Sequence, residues 1–261
     1  MTILDEIADF AKYRVEEAKK TVSVEQIKDH AYDLPKGNFE FEKAIKTNDI
    51  AFICECKKAS PSKGIIAEDF PYVEIAKEYE KAGANCISVL TEPKWFLGKN
   101  EYLQEIADNV SIPCIRKDFT VDEYMIYEAK LLGASAVLLI CSILSDQQLS
   151  QYISICDSLG LSALVEAHDE VEITRAINAG ARIIGVNNRN LKDFSVNTDN
   201  SAKLRNLIPN NIIFVSESGV KTSEDICRLR NIGADAVLIG ETLMKASNKK
   251  DKLNELKGVK Q

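Results

Sequence analysis

The sequence predicts an α/β chain closed into a (β/α)8 TIM barrel behind an N-terminal helical extension, and three observations carry that expectation. A Gly-Ala phrase recurs four times, leading each time into a short apolar run: AGANCISVL from Ala82, LGASAVLLI from Leu132, AGARIIGV from Ala179 and IGADAVLIG from Ile232. Four more apolar runs lie between these (AFICECK from Ala51, IPCIRK from Ile112, SALVE from Ser162 and IIFVS from Ile212), which makes eight. Amphipathic helical patterns such as YVEIAKEYEKA, VDEYMIYEAKLL and DEVEITRAINA fill the intervals.

A strand buried on both faces of a parallel sheet reads as a nearly continuous apolar run. The glycines of the repeated phrase, Gly83, Gly133, Gly180 and Gly233, mark helix ends where a positive φ costs little. They return roughly every 50 residues, room for two βα units. Eight such units in about 210 residues suit a closed barrel. An open doubly wound sheet rarely carries eight even units, and no G-x-G-x-x-G follows the first strand.

Residues 1–47 precede this count. They read as helices over Ile3–Lys20, Val24–Tyr32 and Phe39–Ile45, the last after a turn at Pro35–Gly37, placed to cap the barrel bottom or to cover its mouth. No linker separates them from residues 48–261, so a single domain is expected. The first strand then runs into a long loop, KASPSKGIIAEDF, with the composition of a hinged lid carrying Lys63.

The 261 residues carry a net charge of −7, which argues against a nucleic-acid partner. No apolar stretch is long enough for a membrane span, and the N-terminus does not read as a signal peptide. Seven cysteines without paired spacing do not form a disulfide framework, and two histidines make a His-rich metal site improbable. The expectation is a reduced, cytoplasmic protein, a monomer or weak homodimer.

Barrel chemistry sits at the C-terminal ends of strands, and those ends are unusually polar here. Strand 1 ends in Glu55 and Lys57, which share a face by the period of two. Strand 3 ends in Lys117, strand 5 in Glu166, strand 6 in Asn187 followed by Arg189, and strand 7 in Glu217. Alternate strands supply one layer of a barrel, so Lys57, Lys117, Glu166 and Glu217 are expected to converge. Crowded Lys and Glu groups shift one another's pKa values, which suits proton transfer. Ser218 and Gly219 after strand 7, and Gly240 after strand 8, stand where such barrels bind phosphate. A small phosphorylated substrate is the expected partner.

The phrases ECKKASPSKG, SVLTEPKWFLG, IRKDF, LVEAHDE, GVNNRNLKDFSV, SESGV and LIGETLM run in order through the whole barrel. In them the chain resembles the indole-3-glycerol phosphate synthases. The resemblance implies that 1-(2-carboxyphenylamino)-1-deoxyribulose 5-phosphate cyclises with loss of carbon dioxide and then water, without cofactor or metal. It implies Lys117 as general acid, Glu166 in proton transfer around dehydration and Lys57 as holder of the substrate carboxylate. Glu55 is implied as a base or as an orienter of the lysines, and Asn187 is matched alongside them. It places Ser60, Arg189, Glu217 and Ser218 around the substrate and Gly219 and Gly240 near the phosphate. Leu90, Phe96, Phe119, Leu138 and Leu191 are implied to line a slot for the aromatic ring.

Two positions depart from the pattern. Trp95 stands where a tyrosine or phenylalanine is expected, and Glu241 replaces a serine of some relatives. Glu241 beside a phosphate would repel it unless its carboxylate pointed away. Three rivals are weaker: a phosphoribosylanthranilate isomerase using Cys56, a Schiff-base aldolase using Lys117, and a non-catalytic phosphosugar binder.

Overall fold

A computed structural model describes residues 2–189 and 195–258. Eight parallel strands close on themselves: β1 (Ala51–Cys56), β2 (Cys86–Leu90), β3 (Cys114–Lys117), β4 (Ala136–Ile140), β5 (Ser162–Ala167), β6 (Ile183–Asn187), β7 (Ile213–Glu217) and β8 (Ala236–Ile239). Each pairs with its sequence neighbours, and β8 returns to β1 with Cys54 opposite Ile239. This is the barrel the sequence predicts. Gly83, Gly133, Gly180 and Gly233 all have φ between 76° and 89°, so the four repeated glycines do end helices in the left-handed region.

The extension comprises α1 (Ile3–Lys19), α2 (Val24–Asp33) and α3 (Glu40–Ile45). Thr2 and Ser23 begin α1 and α2 with capping boxes. The two jobs the sequence left open are divided between α3 and α1. At the barrel bottom, α3 buries Phe41 and Ile45. There its Glu42 N–H donates to Ser162 Oγ at the start of β5, and Asn85 Nδ2 donates to the Ala44 carbonyl. At the mouth, Ile3, Leu4 and Ile7 of α1 form part of the cavity wall.

One ionic network pins α1 there. The Arg14 guanidinium donates twice to Asp118, at 2.6 and 3.1 Å, and Thr91 Oγ1 donates to the same carboxylate at 2.6 Å. Arg116, buried beneath, pairs with Glu128 at 2.6 Å and donates to Asn100 Oδ1 and the Met125 carbonyl. Burial opposes ionisation of Asp118, but Arg14 and Arg116 outweigh it and hold its pKa below the usual aspartate value.

The barrel helices follow in order: α4 (Tyr72–Lys81), α5 (Asn100–Asn109), α6 (Tyr124–Leu131), α7 (Asp146–Leu159), α8 (Glu170–Asn178), α9 (Asp199–Arg205), α10 (Ser223–Asn231), the single turn α11 (Glu241–Met244) and α12 (Lys249–Lys257). The long loop after β1 carries a short hairpin, Ala59–Ser60 against Gly64–Ile65.

Candidate active site

A cavity of about 450 Å³ opens at the C-terminal end of the strands, lined from every part of the barrel that the sequence singled out. Glu55 and Lys57 enter from β1 and the residue after it, Ser60 from the hairpin, Lys117 and Phe119 from the end of β3. Leu90, Phe96 and Leu138 supply apolar wall; Glu166, Asn187, Arg189, Glu217, Ser218, Gly219 and Gly240 complete the ring. Leu191 lies outside the described residues.

The charges are arranged around Lys117. Its Nζ is 3.3 Å from Glu217 Oε2 and 3.6 Å from Glu166 Oε2. Lys57 Nζ meets Glu55 Oε1 at 2.5 Å, and Ser88 Oγ, in register opposite Glu55, donates to its other oxygen. Glu55, Glu166 and Glu217 are 3%, 2% and 1% exposed, so water screens them little. Burial disfavours charge on Lys117, but Glu217, Glu166 and Glu55 together raise its pKa above the normal lysine value. The ammonium is therefore held in its charged form.

The two glutamates beside it are not equivalent. Glu166 accepts from Asn187 Nδ2 at 3.2 Å and has His168 Nε2 3.2 Å from the same oxygen. Despite burial, Lys117 and these partners push its pKa down. Glu217 has Lys117 on one oxygen, whereas its Oε1 lacks a hydrogen-bond partner among the described residues. Burial therefore raises the Glu217 pKa, with Lys117 opposing and the neighbouring Glu166 reinforcing. One carboxylate is held ionised and the other favours its proton, the usual signature of divided acid and base work.

Two glycines make room for these groups. A Cβ on Gly185 would run into Glu217 Oε1 and lie 3.1 Å from Leu164, so β6 must be bare there. A Cβ on Gly240 would strike Glu55 Oε1 and lie 2.9 Å from Lys57 Nζ. Gly185 was not singled out by sequence, because its reason is a side chain across the sheet. Its register beside Glu166 is the signal that would have found it.

Also lining the cavity, Ser218 has φ 67° and Gly219 φ 93°, a left-handed turn directly after β7. The Asn188 side chain holds this loop from β6, donating to Ser216 Oγ and to the Ser218 carbonyl. Glu241 is not turned away from the site. Its carboxylate lies 3.8 Å from Arg189 Nη2, 3.9 Å from Lys63 Nζ and 2.7 Å from Lys245 Nζ. Three cations thus surround the one anion that the sequence marked as awkward. Trp95, the other departure, packs edge-on against Phe10 of α1 at 5.7 Å and lies under Lys94, so it fastens the extension. Cys56 is buried and does not line the cavity.

Residues 4–256 match the family described as indole-3-glycerol phosphate synthase. A relative of that name from Ruminiclostridium cellulolyticum is 58% identical over 257 residues, 98% of this chain and 99% of its own. Another of the same name, from Endomicrobium trichonymphae, is 55% identical over 98% of this chain and 99% of its own. Among solved structures, 3-hexulose-6-phosphate synthase superposes with a TM-score of 0.65 at 14% identity, covering 80% of this chain and 99% of that one. At that identity the likeness is one of fold.

Proposed function

Because the chain belongs to the indole-3-glycerol phosphate synthase family, we propose that its ring of charges performs the family's reaction with Lys117 as the general acid and Glu166 as the proton acceptor. The reaction itself closes the indole ring of a carboxyphenylamino-deoxyribulose phosphate with loss of carbon dioxide and water, in tryptophan biosynthesis. Its substrate is a phosphorylated small molecule.

The observation that carries the division of roles is the placement of Lys117 between Glu166 and Glu217. As the aromatic carbon attacks the ribulose carbonyl, the carbonyl oxygen gains negative charge, and the Lys117 ammonium donates a proton to it. Carbon dioxide then leaves from the ring carbon and aromaticity returns. In the second half, the new hydroxyl departs as water with a proton from the Lys57 ammonium, which the lost carboxylate has vacated, and a proton leaves the adjacent methylene carbon. Glu166, ionised and fixed by Asn187, accepts that proton.

Lys57 binds the substrate carboxylate, and Glu55, already bonded to Lys57 and Ser88, orients it. Phe96 and Phe119, with ring centroids 6.0 Å apart, flank the slot for the aromatic half together with Leu90 and Leu138. The phosphate lies against the β7 and β8 loops at Ser218, Gly219 and Gly240, within reach of Arg189. Ser60 and Glu217 contact the sugar portion.

Because α1 supplies cavity wall, residues 1–47 and 48–261 are read as one domain. Among the described residues no helix is long and apolar enough to cross a membrane. Free thiols at all seven cysteines support a reducing, cytoplasmic location. The exposed large apolar side chains, such as Tyr13, Ile65 and Val171, lie on different elements, in keeping with a monomer or weak homodimer, which sedimentation would measure.

The test is turnover of the carboxyphenylamino-deoxyribulose phosphate, followed by indole fluorescence, in the wild type and in Lys117→Ala. Turnover in the first and a loss of roughly 10³-fold or more in the second, with substrate still bound, is the expected result. Retained turnover in Lys117→Ala would overturn the assignment of the acid.

A further inference from the structure

His168 stands outside the roles given above, yet it touches Glu166. It follows β5 directly, and its imidazole is held between two carboxylates: Nε2 lies 3.2 Å from Glu166 Oε1 and Nδ1 lies 3.1 Å from Glu172 Oε2. Glu172, in the first turn of α8, also accepts the His168 backbone N–H at 2.8 Å. The Asn200 side chain donates to the His168 carbonyl. The ring is thus fixed in position and plane before any ligand arrives.

We propose that His168 and Glu172 form a positioning dyad, in which a doubly paired imidazolium keeps Glu166 ionised and aimed while leaving the site's spare proton to Glu217. This rests on the reading of Glu166 as proton acceptor.

Nδ1 meets Glu172 at hydrogen-bond distance. Nε2, which makes no aligned hydrogen bond among the described residues, still lies 3.2 Å from a Glu166 oxygen, a contact that a bare nitrogen lone pair makes repulsive and a charged ring makes attractive. Burial disfavours that charge, but Glu166 and Glu172 outweigh it and raise the His168 pKa to about 10. The charge count gives the consequence. Among the described residues, four buried or half-buried carboxylates, Glu55, Glu166, Glu172 and Glu217, meet three cations, Lys57, Lys117 and His168. One extra proton neutralises the cluster, and Glu217 is where it costs least, because its Oε1 has no hydrogen-bond partner among the described residues.

The dyad's other neighbours leave this balance unchanged. The Cys141 thiol, its pKa raised to about 12 chiefly by burial, donates to the Glu172 carbonyl, and Arg175 is engaged with Asp146. Without the imidazolium, Glu166 would keep, among the described residues, Lys117 alone as a cationic partner. It would then compete with Glu217 for the proton, and the base would be partly neutralised.

Histidine side-chain ¹⁵N spectra test this directly. The chain has two histidines, and a His30→Gln sample assigns them. Both ring nitrogens of His168 are expected to show imidazolium shifts at about pH 8; a neutral-imidazole pattern there would overturn the proposal. In His168→Gln the acidic limb of kcat, followed from about pH 4 to about pH 8, is expected to move up by about one unit, with KM changing less than about twofold. Glu172→Gln, which leaves the imidazole in place, is expected to move the limb the same way by a smaller amount. An unmoved limb in both folded variants would sink the dyad. Full activity in Glu166→Gln beside an intact imidazolium signal would instead overturn the underlying role of Glu166, and the two failures are distinguishable.

Discussion

Gly240 and Glu55 sit so close that a methyl group on the glycine would occupy the space of the carboxylate oxygen that holds Lys57. The glycine of the eighth strand's loop therefore has a task beyond the phosphate contact proposed for it. Gly240→Ala is expected to push Glu55 off Lys57 and lower kcat about 10- to 100-fold, the effect of roughly 1–3 kcal/mol of overpacking. If the glycine served the phosphate alone, KM would rise with kcat unchanged. Steady-state kinetics on a variant whose circular dichroism matches the wild type separates the two.

Glu217 makes the enzyme's stability depend on pH in an unusual direction. Its folded pKa is raised to about 7, chiefly by burial, against 4.5 for the free group. Below 4.5 the carboxyl is neutral in both states. Between 4.5 and 7 the unfolded chain ionises while the folded chain keeps its proton, so stability is lost as pH rises through that window. Glu217→Gln remains neutral throughout. Relative to the wild type it is expected to gain up to roughly 3 kcal/mol across the window, measured by urea unfolding at several pH values. A constant difference between the two proteins would contradict the raised pKa.

The Arg14–Asp118 pair predicts the opposite sign. Asp118 is buried, and its depressed pKa contributes stability that is present above 3.8 and lost as pH falls below it. Asp118→Asn strands Arg14 and Arg116 beside a neutral amide and is expected to cost about 3–5 kcal/mol near neutrality. The gap between variant and wild type should narrow as pH falls below 3.8. Because the pair fastens α1, whose Ile3, Leu4 and Ile7 wall the cavity, KM is also expected to rise in the variant.

What the sequence made legible follows from how local each signal was. Strand ends are local, so Lys117, Glu166 and Glu217 were readable: the period of two and the layering of alternate strands bring them together with no further information. Partnerships across the barrel were not. Gly185 matters because of Glu217, thirty-odd positions away, and Arg14 matters because of Asp118, 104 positions away. His168 lies between the two cases. Glu172 is four residues along the chain, so the spacing was visible in HDEVE, but only the fold aims the ring at Glu166. Glu241 was legible as an anomaly; of the three cations that neutralise it, Lys245 lies four residues along the chain, whereas Lys63 and Arg189 arrive from separate loops.

Phe119 gives the sharpest test of how the cavity is divided. Its ring stands 6.0 Å from that of Phe96, and its N–H donates to Asp118 Oδ1, so the backbone that carries it is fixed independently of any ligand. Removing the ring leaves Lys117 and the β7 and β8 loops where they are and takes away one face of the slot proposed for the aromatic half. Phe119→Ala is expected to raise KM by roughly 10- to 100-fold, in proportion to the apolar surface no longer covered on the substrate. Inhibition by inorganic phosphate, which has no aromatic half, is expected to stay within about twofold of the wild type. Should phosphate inhibition weaken in parallel with KM, the substitution has disturbed the whole mouth, and the aromatic ring of the substrate does not rest on Phe119.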